Sequence, residues 1–84
     1  MKLIVSRAAA KSLRKMSRKD AEALLAKLDT LAAAPFATHL WALRMKGEDA
    51  FRVRQGDWRA VYRIDRETEE VVVDLIDNRR EIYR

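Results

Sequence analysis

The segment around Gly56 constrains this chain more than any other. Phe51 and Val53 alternate with Arg52 and Arg54, and Gln55-Gly56-Asp57-Trp58 then places glycine at the first central position of a two-residue turn. A type II′ turn requires a positive φ at that position, so the spacing predicts a hairpin whose second strand runs back antiparallel through Trp58–Asp65. With Gly56 and Asp57 in the turn, Gln55 pairs with Trp58, Arg54 with Arg59, Val53 with Ala60 and Arg52 with Val61, and Arg63 lies diagonal to Arg52. One face then carries Phe51, Val53, Trp58, Ala60, Tyr62 and Ile64, a credible core, and the other carries Arg52, Arg54, Arg59 and Arg63. Like charges directly opposite on a sheet destabilise it. The pattern therefore predicts an anion bound at the arginine face, unless carboxylates of neighbouring elements, Asp74 among them, neutralise the guanidiniums.

The rest of the chain supplies partners for this hairpin. Lys2–Val5 (KLIV) reads as a strand, and Ser6 stands where an N-cap belongs ahead of a short basic helix, Arg7–Lys15. Ser17 with Asp20 resembles a capping box and opens a second helix through Ala33, which Pro35 ends. Ala21, Leu24, Leu25, Leu28, Leu31 and Ala32 fall at steps of three and four, an apolar stripe too short for a coiled coil and suited to packing on a core. Residues 35–42 read as a connection, and residues 71–77 as a last strand after the acidic turn at 65–70. The expected fold is α+β: a strand, two helices, then a three-stranded antiparallel meander, giving a twisted antiparallel sheet with both helices packed on one face.

Eighty-four residues point to one domain spanning residues 1–84. Thirteen of the hydrophobic residues are alanine, so the core is small and stability modest, and a partner that adds buried area would help. The chain has no cysteine, which excludes disulfides and metal-thiolate chemistry and suits the reducing cytosol. No apolar run approaches the length that spans a bilayer, and the first residues lack a signal-peptide pattern, so a soluble cytoplasmic protein is expected. The net charge of +5 is uneven: residues 1–42 carry eight basic and three acidic side chains, whereas residues 43–84 balance ten against ten, with nine of those ten basic residues arginine. Arginine suits forked contacts with phosphate, and a basic face of this kind favours nucleic acid over mere solvation. Lys11, Arg14 and Lys15 on the first helix are the candidate RNA contacts outside the hairpin.

Cleavage of RNA by its own 2′-hydroxyl requires a base near that hydroxyl, positive charge on the phosphorane, and a proton for the departing 5′-oxygen. Arginine meets the second requirement well and the first poorly, because it stays protonated. The terminal Asn78-Arg79-Arg80-Glu81-Ile82-Tyr83-Arg84 adds guanidiniums and a phenol that either has its pKa lowered by the cations, stacks on a base, or packs as a terminal residue. His39, the single histidine, falls in the connection after Pro35 and reads as solvent-facing.

Leu43-Arg44-Met45-Lys46-Gly47, the run Phe51-Arg52-Val53-Arg54-Gln55-Gly56-Asp57-Trp58-Arg59-Ala60-Val61-Tyr62-Arg63-Ile64, and the Arg-Arg-Glu-Ile-Tyr end together resemble the RelE/ParE superfamily of bacterial toxins, specifically its RelE-like branch. The resemblance covers nearly the whole chain. It implies a metal-independent, cofactor-free endoribonuclease that cuts message in the ribosomal A site, arrests translation and growth, and is held inactive by a cognate antitoxin. The toxin alone is then expected to be a monomer, and part of a hetero-oligomer with antitoxin.

By position, the resemblance makes Arg59 the stabiliser of the transition-state phosphate and Arg79 the assistant of the leaving group, with Arg80 as its register alternative. Arg52 and Arg54 take two positions held by lysines in the best-known members, and Tyr83 takes that of a tyrosine which stacks on the nucleotide. Arg63 and Arg80 join the RNA contacts. The lysine-to-arginine departure leaves the base open: Arg54 orients the 2′-hydroxyl while a perturbed Arg54, Tyr83 or a ribosomal group takes the proton. Two rivals stand beside this reading. A ParE-like inhibitor of DNA gyrase would need no catalytic arginines, and a non-catalytic RNA-binding domain would want exposed aromatic platforms, whereas Phe51, Trp58 and Tyr62 point to the core.

Overall fold

The computed structural model describes residues 1–36, 42–44 and 50–78, the side chains of 42–44 excepted. Its elements run β1 (Lys2–Val5), α1 (Arg7–Lys15), α2 (Arg18–Ala33), β2 (Ala42–Arg44), β3 (Ala50–Gln55), β4 (Trp58–Asp65) and β5 (Glu70–Asn78). The strands form one five-stranded sheet in the order β1-β5-β4-β3-β2. The α+β class, the strand-helix-helix start and the β3-β4-β5 meander are as the sequence predicts.

Two details differ. β1 lies parallel to β5, with Lys2 opposite Glu70 and Val5 opposite Val73, so the sheet is mixed and not antiparallel throughout. A parallel pair needs a long crossover, and everything between β1 and β5 serves as one. In addition, Ala42–Arg44 adds a short edge strand to β3, with Leu43 opposite Arg52. Three residues carry too little alternation for a periodicity argument to find them.

Local chemistry sets the helix boundaries. Ser6 is extended, and its Oγ accepts from Ala9 N at 3.0 Å, which caps α1. The same hydroxyl donates to the Asp74 carbonyl at 2.8 Å, while Ser6 N donates to Val73 O at 3.0 Å, so the cap also fastens α1 to β5. Arg14 and Lys15 occupy the last turn of α1, where the helix dipole favours cations. Ser17 Oγ accepts from Asp20 N at 3.2 Å and caps α2, which ends just before Pro35.

The hairpin register is the predicted one in every pair from Arg52–Val61 to Gln55–Trp58. Gly56 has φ +60°, while Asp57 is not in the positive-φ region, the combination that distinguishes a type II′ turn from type I′.

One sheet face is the core. Val53, Ala60, Val71 and Val73 are fully buried, and Tyr62 and Ile76 nearly so, against Leu24, Leu28, Leu31 and Ala32 of α2 and Ala9 of α1. Leu3, Val5, Phe51, Trp58 and Ile64 pack at its margin. Each fully buried leucine or valine contributes about 1.5–3 kcal/mol, which makes this stripe the main source of stability.

The β4–β5 ladder contains a bulge: Val61 faces Leu75 and Tyr62 faces Val73, which leaves Asp74 as the extra residue. The bulge reconciles Val71 and Val73, two apart, with Ile76, three further on, so that all three reach the core. Without it every residue beyond Val73 would change faces.

Tyr62 stacks on Phe51 with ring centroids 5.2 Å apart, and burial pushes its phenol up to about 12. Because the folded value lies above tyrosine's ordinary 10.0, this phenol leaves stability unchanged well below pH 10 and lowers it as pH rises toward about 12. The loss amounts to about 3 kcal/mol in all. Urea midpoints measured across that interval should fall for the wild type and fall less for Tyr62→Phe.

Candidate active site

The face of the sheet away from the helices is built by the hairpin's alternation. Arg52 and Arg54 project from β3 and Arg59 and Arg63 from β4, so the structure brings together the four arginines that the sequence placed on one face. Val61 and Leu75 lie between them, Leu75 being 45% exposed, and Ile4 and Val72 continue the face toward β1.

The arginines are not equivalent. Arg59, on the central strand β4, stands between Arg54 of β3 and Asp77 of β5. Its Nε and Nη2 donate to Asp77 Oδ1 and Oδ2, each at 3.2 Å, a forked pair with Arg59 34% and Asp77 20% exposed. Arg63 pairs with Asp74 at 3.2 Å and lies 3.9 Å from Asp65. Among the described residues Arg52 and Arg54 make no ion pair, and Lys27 Nζ donates to the backbone carbonyl of Arg54 at 2.7 Å, adding an ammonium beside this strand.

Neutralisation by neighbouring carboxylates is therefore realised for Arg59 and Arg63. Asp74 neutralises Arg63, as foreseen, but the carboxylate on Arg59 is Asp77, which the sequence reading did not single out. The signal was present in β5, where the apolar period breaks between Val73 and Ile76. That break marks a bulge and turns Asp77 to the arginine side. With Arg59 and Arg63 paired, the net positive charge of the face among the described residues rests on Arg52 and Arg54.

Lys11, Arg14 and Lys15 are exposed on α1. That helix belongs to the layer whose Ala9 enters the common core, so these side chains and the arginine face are on opposite sides of the sheet. The structure does not bring the two basic groups together. Arg79, Arg80 and Tyr83 lie outside the described residues, as does His39. β5 ends at Asn78 opposite Trp58, at the same end of the sheet as the Gly56 turn. Among the described residues no three His, Cys, Asp or Glu side chains gather where they could hold a metal ion.

This fold and face have known counterparts. A family model described as "ParE toxin of type II toxin-antitoxin system, parDE" matches residues 3–83, and the chain belongs to that family. It is a toxin of a type II toxin-antitoxin system within the RelE/ParE superfamily. Among solved structures it is similar to the RelBE2 toxin-antitoxin complex of Mycobacterium tuberculosis, with 26% identity over 93% of this chain and 96% of that one and a TM-score of 0.71. The intact RelBE complex of E. coli matches at 24% identity over 92% and 94% of the two chains, with a TM-score of 0.77. The isolated E. coli RelE toxin matches at 23% over 98% and 89%, with a TM-score of 0.78. No curated protein matches.

The opposition of Arg54 and Arg59 has a measurable consequence. In low salt without a polyvalent anion, Arg54→Thr should raise stability by about 0.5 kcal/mol. In a domain of this size that is about 3 °C in Tm. Adding sulfate should raise the wild-type Tm more than that of the variant and close the gap.

Proposed function

We propose that this toxin is a ribosome-dependent mRNA endonuclease acting in the bacterial cytosol. The observation that carries this reading is the open sheet face on which four arginines converge, with Arg54 directly opposite Arg59 and with no carboxylate paired to Arg52 or Arg54 among the described residues. A chain selected for folding alone gains nothing from that opposition, whereas a bridging phosphodiester relieves it.

In the proposed step the 2′-oxygen of one nucleotide attacks the adjacent phosphorus and the bond to the 5′-oxygen of the next breaks. The products are a 2′,3′-cyclic phosphate and a 5′-hydroxyl, with the proton of the 2′-hydroxyl balanced by one delivered to the 5′-oxygen. Arg59 stabilises the phosphorane, and Arg52 and Arg54 draw in the phosphate and orient the 2′-hydroxyl. Arginine's basicity suits Arg54 to orientation and not to proton removal. Arg79 serves the leaving group, Tyr83 stacks on the nucleotide, and Arg63 and Arg80 contact the RNA backbone; these roles come from the family resemblance. Positioning by the ribosome supplies much of the remaining barrier reduction.

Lys11, Arg14 and Lys15, across the sheet from the arginines, meet a second surface of the same large RNA. A partner with folded RNA on two sides of a narrow site suits this division better than a single extended strand does. The partner that silences the toxin is a cognate antitoxin, as the RelBE complexes among its structural relatives suggest.

A short induced pulse of wild type and of Arg59→Ala in a bacterial host tests this reading, with 5′ ends mapped on a translated message and on the same message lacking its start codon. Cuts at codon steps that vanish in both the variant and the untranslated message are the expected result. Growth arrest without cuts, accompanied by gyrase-linked DNA breaks, would replace it with the gyrase-inhibitor reading, which the ParE name of the matching family favours. Charge reversal at Lys11 and Lys15 should weaken ribosome binding and lower the slope of log affinity against log salt by up to about two.

A further inference from the structure

We propose that Asp77 is the positioning residue of Arg59, holding its guanidinium in one plane on the sheet so that the scissile phosphate meets a preset fork. This rests on the nuclease reading above. Arg59 has five N–H donors, and Asp77 takes the Nε and Nη2 pair side-on at 3.2 Å each, so the carboxylate fixes both the rotamer and the ring-like plane of the group. Arg63 is bound differently: its contacts, at 3.2 Å to Asp74 and 3.9 Å to Asp65, are divided between two carboxylates, and its side chain is 50% exposed.

The backbone is arranged to deliver this contact. In an unbulged ladder Arg59 would face Ile76, and Asp77 would fall opposite Trp58 on the apolar side. The extra residue at Asp74 moves Ile76 into the core and brings Asp77 level with Arg59. The opposing Arg54 explains why a holder is needed. A like charge across β3 would drive the Arg59 side chain away from the site, and Asp77 on the far side gives it a defined resting place that keeps it on the face. Orientation and attraction are thus divided: Asp77 fixes the donors that Arg59 presents to the phosphorane, and Arg52 and Arg54 add the charge that draws the phosphate in.

The test uses the full chain with ribosomes programmed with a short message, comparing wild type, Asp77→Ala and Asp77→Glu in single-turnover cleavage. The Arg59 Nε–Hε resonance is followed by NMR in the same proteins, with circular dichroism confirming that each is folded. Asp77→Ala should cut on the order of tenfold to a hundredfold more slowly, with half-saturating ribosome concentration unchanged or lower because a negative charge has gone. Asp77→Glu should recover part of the rate. The Arg59 resonance should be distinct and ordered in the wild type, and averaged to the solvent value in Asp77→Ala.

An Asp77→Ala protein that cuts as fast as wild type or faster overturns the positioning role while leaving the nuclease reading intact. A wild-type Arg59 resonance already averaged overturns it whatever the cutting rate. Loss of rate in both variants together with loss of folding assigns Asp77 to structure alone. If the wild type itself cuts no programmed message, the nuclease reading falls and this role with it, a result separable from the others because the NMR measurement does not depend on cleavage.

Discussion

Everything distinctive in this domain passes through β5 and its one-residue bulge. The strand takes β1 in parallel on one side and β4 antiparallel on the other, receives the Ser6 cap of α1 on its Val73 and Asp74 carbonyls, and buries Val71, Val73 and Ile76. Its other face carries the carboxylates that meet Arg63 and Arg59. A regular strand cannot do all of this with the sequence VVVDLID, because strict alternation from Val71 and Val73 would put both Ile76 and Asp77 on the wrong side. The inserted residue solves a packing problem and an electrostatic one with the same displacement.

The arginine face illustrates how a sheet tolerates charge that a helix would disperse. Cross-strand neighbours stand about 5 Å apart, so four arginines on two strands repel unless something intervenes. Carboxylates from β5 intervene for the pair on β4, on the side remote from β3, and the β3 arginines have no carboxylate paired to them among the described residues. The result is a gradient across the sheet, from paired and oriented groups beside β5 to more strongly charged ones toward the β2 edge. A flexible anion approaching from that edge meets attraction first and geometry second.

The sequence made most of this fold legible because the informative residues sit where physics is local. Gly56 alone implies the turn type, and the turn fixes the register of every hairpin pair, including Arg54 against Arg59. Ser6 and Ser17 mark helix starts, and Pro35 an end. What escaped was non-local. The parallel placement of Lys2–Val5 beside β5 leaves no mark on either segment, since a buried KLIV and VVV would read the same in an antiparallel pair. The β2 strand is too short to show a period. Asp77 was passed over because an aspartate in a strand following an acidic turn reads as solvation until the break after Val73 is recognised as a bulge. Lys11, Arg14 and Lys15 were legible as basic residues of a short helix, but their separation from the arginines by the thickness of the sheet required knowing which face α1 covers.

The β1–β5 pairing joins residues separated by most of the chain, Lys2 to Glu70. During synthesis the helices and the β3–β4 hairpin can form from local contacts, yet β1 has no neighbour, and Arg59 no carboxylate partner on β5, until the last strand has emerged. This order makes the pairing of Arg59 and Arg63 with their β5 carboxylates one of the final events of folding. Until β5 has joined the sheet, the hairpin therefore carries its four arginines without the carboxylates that hold and neutralise the two on β4.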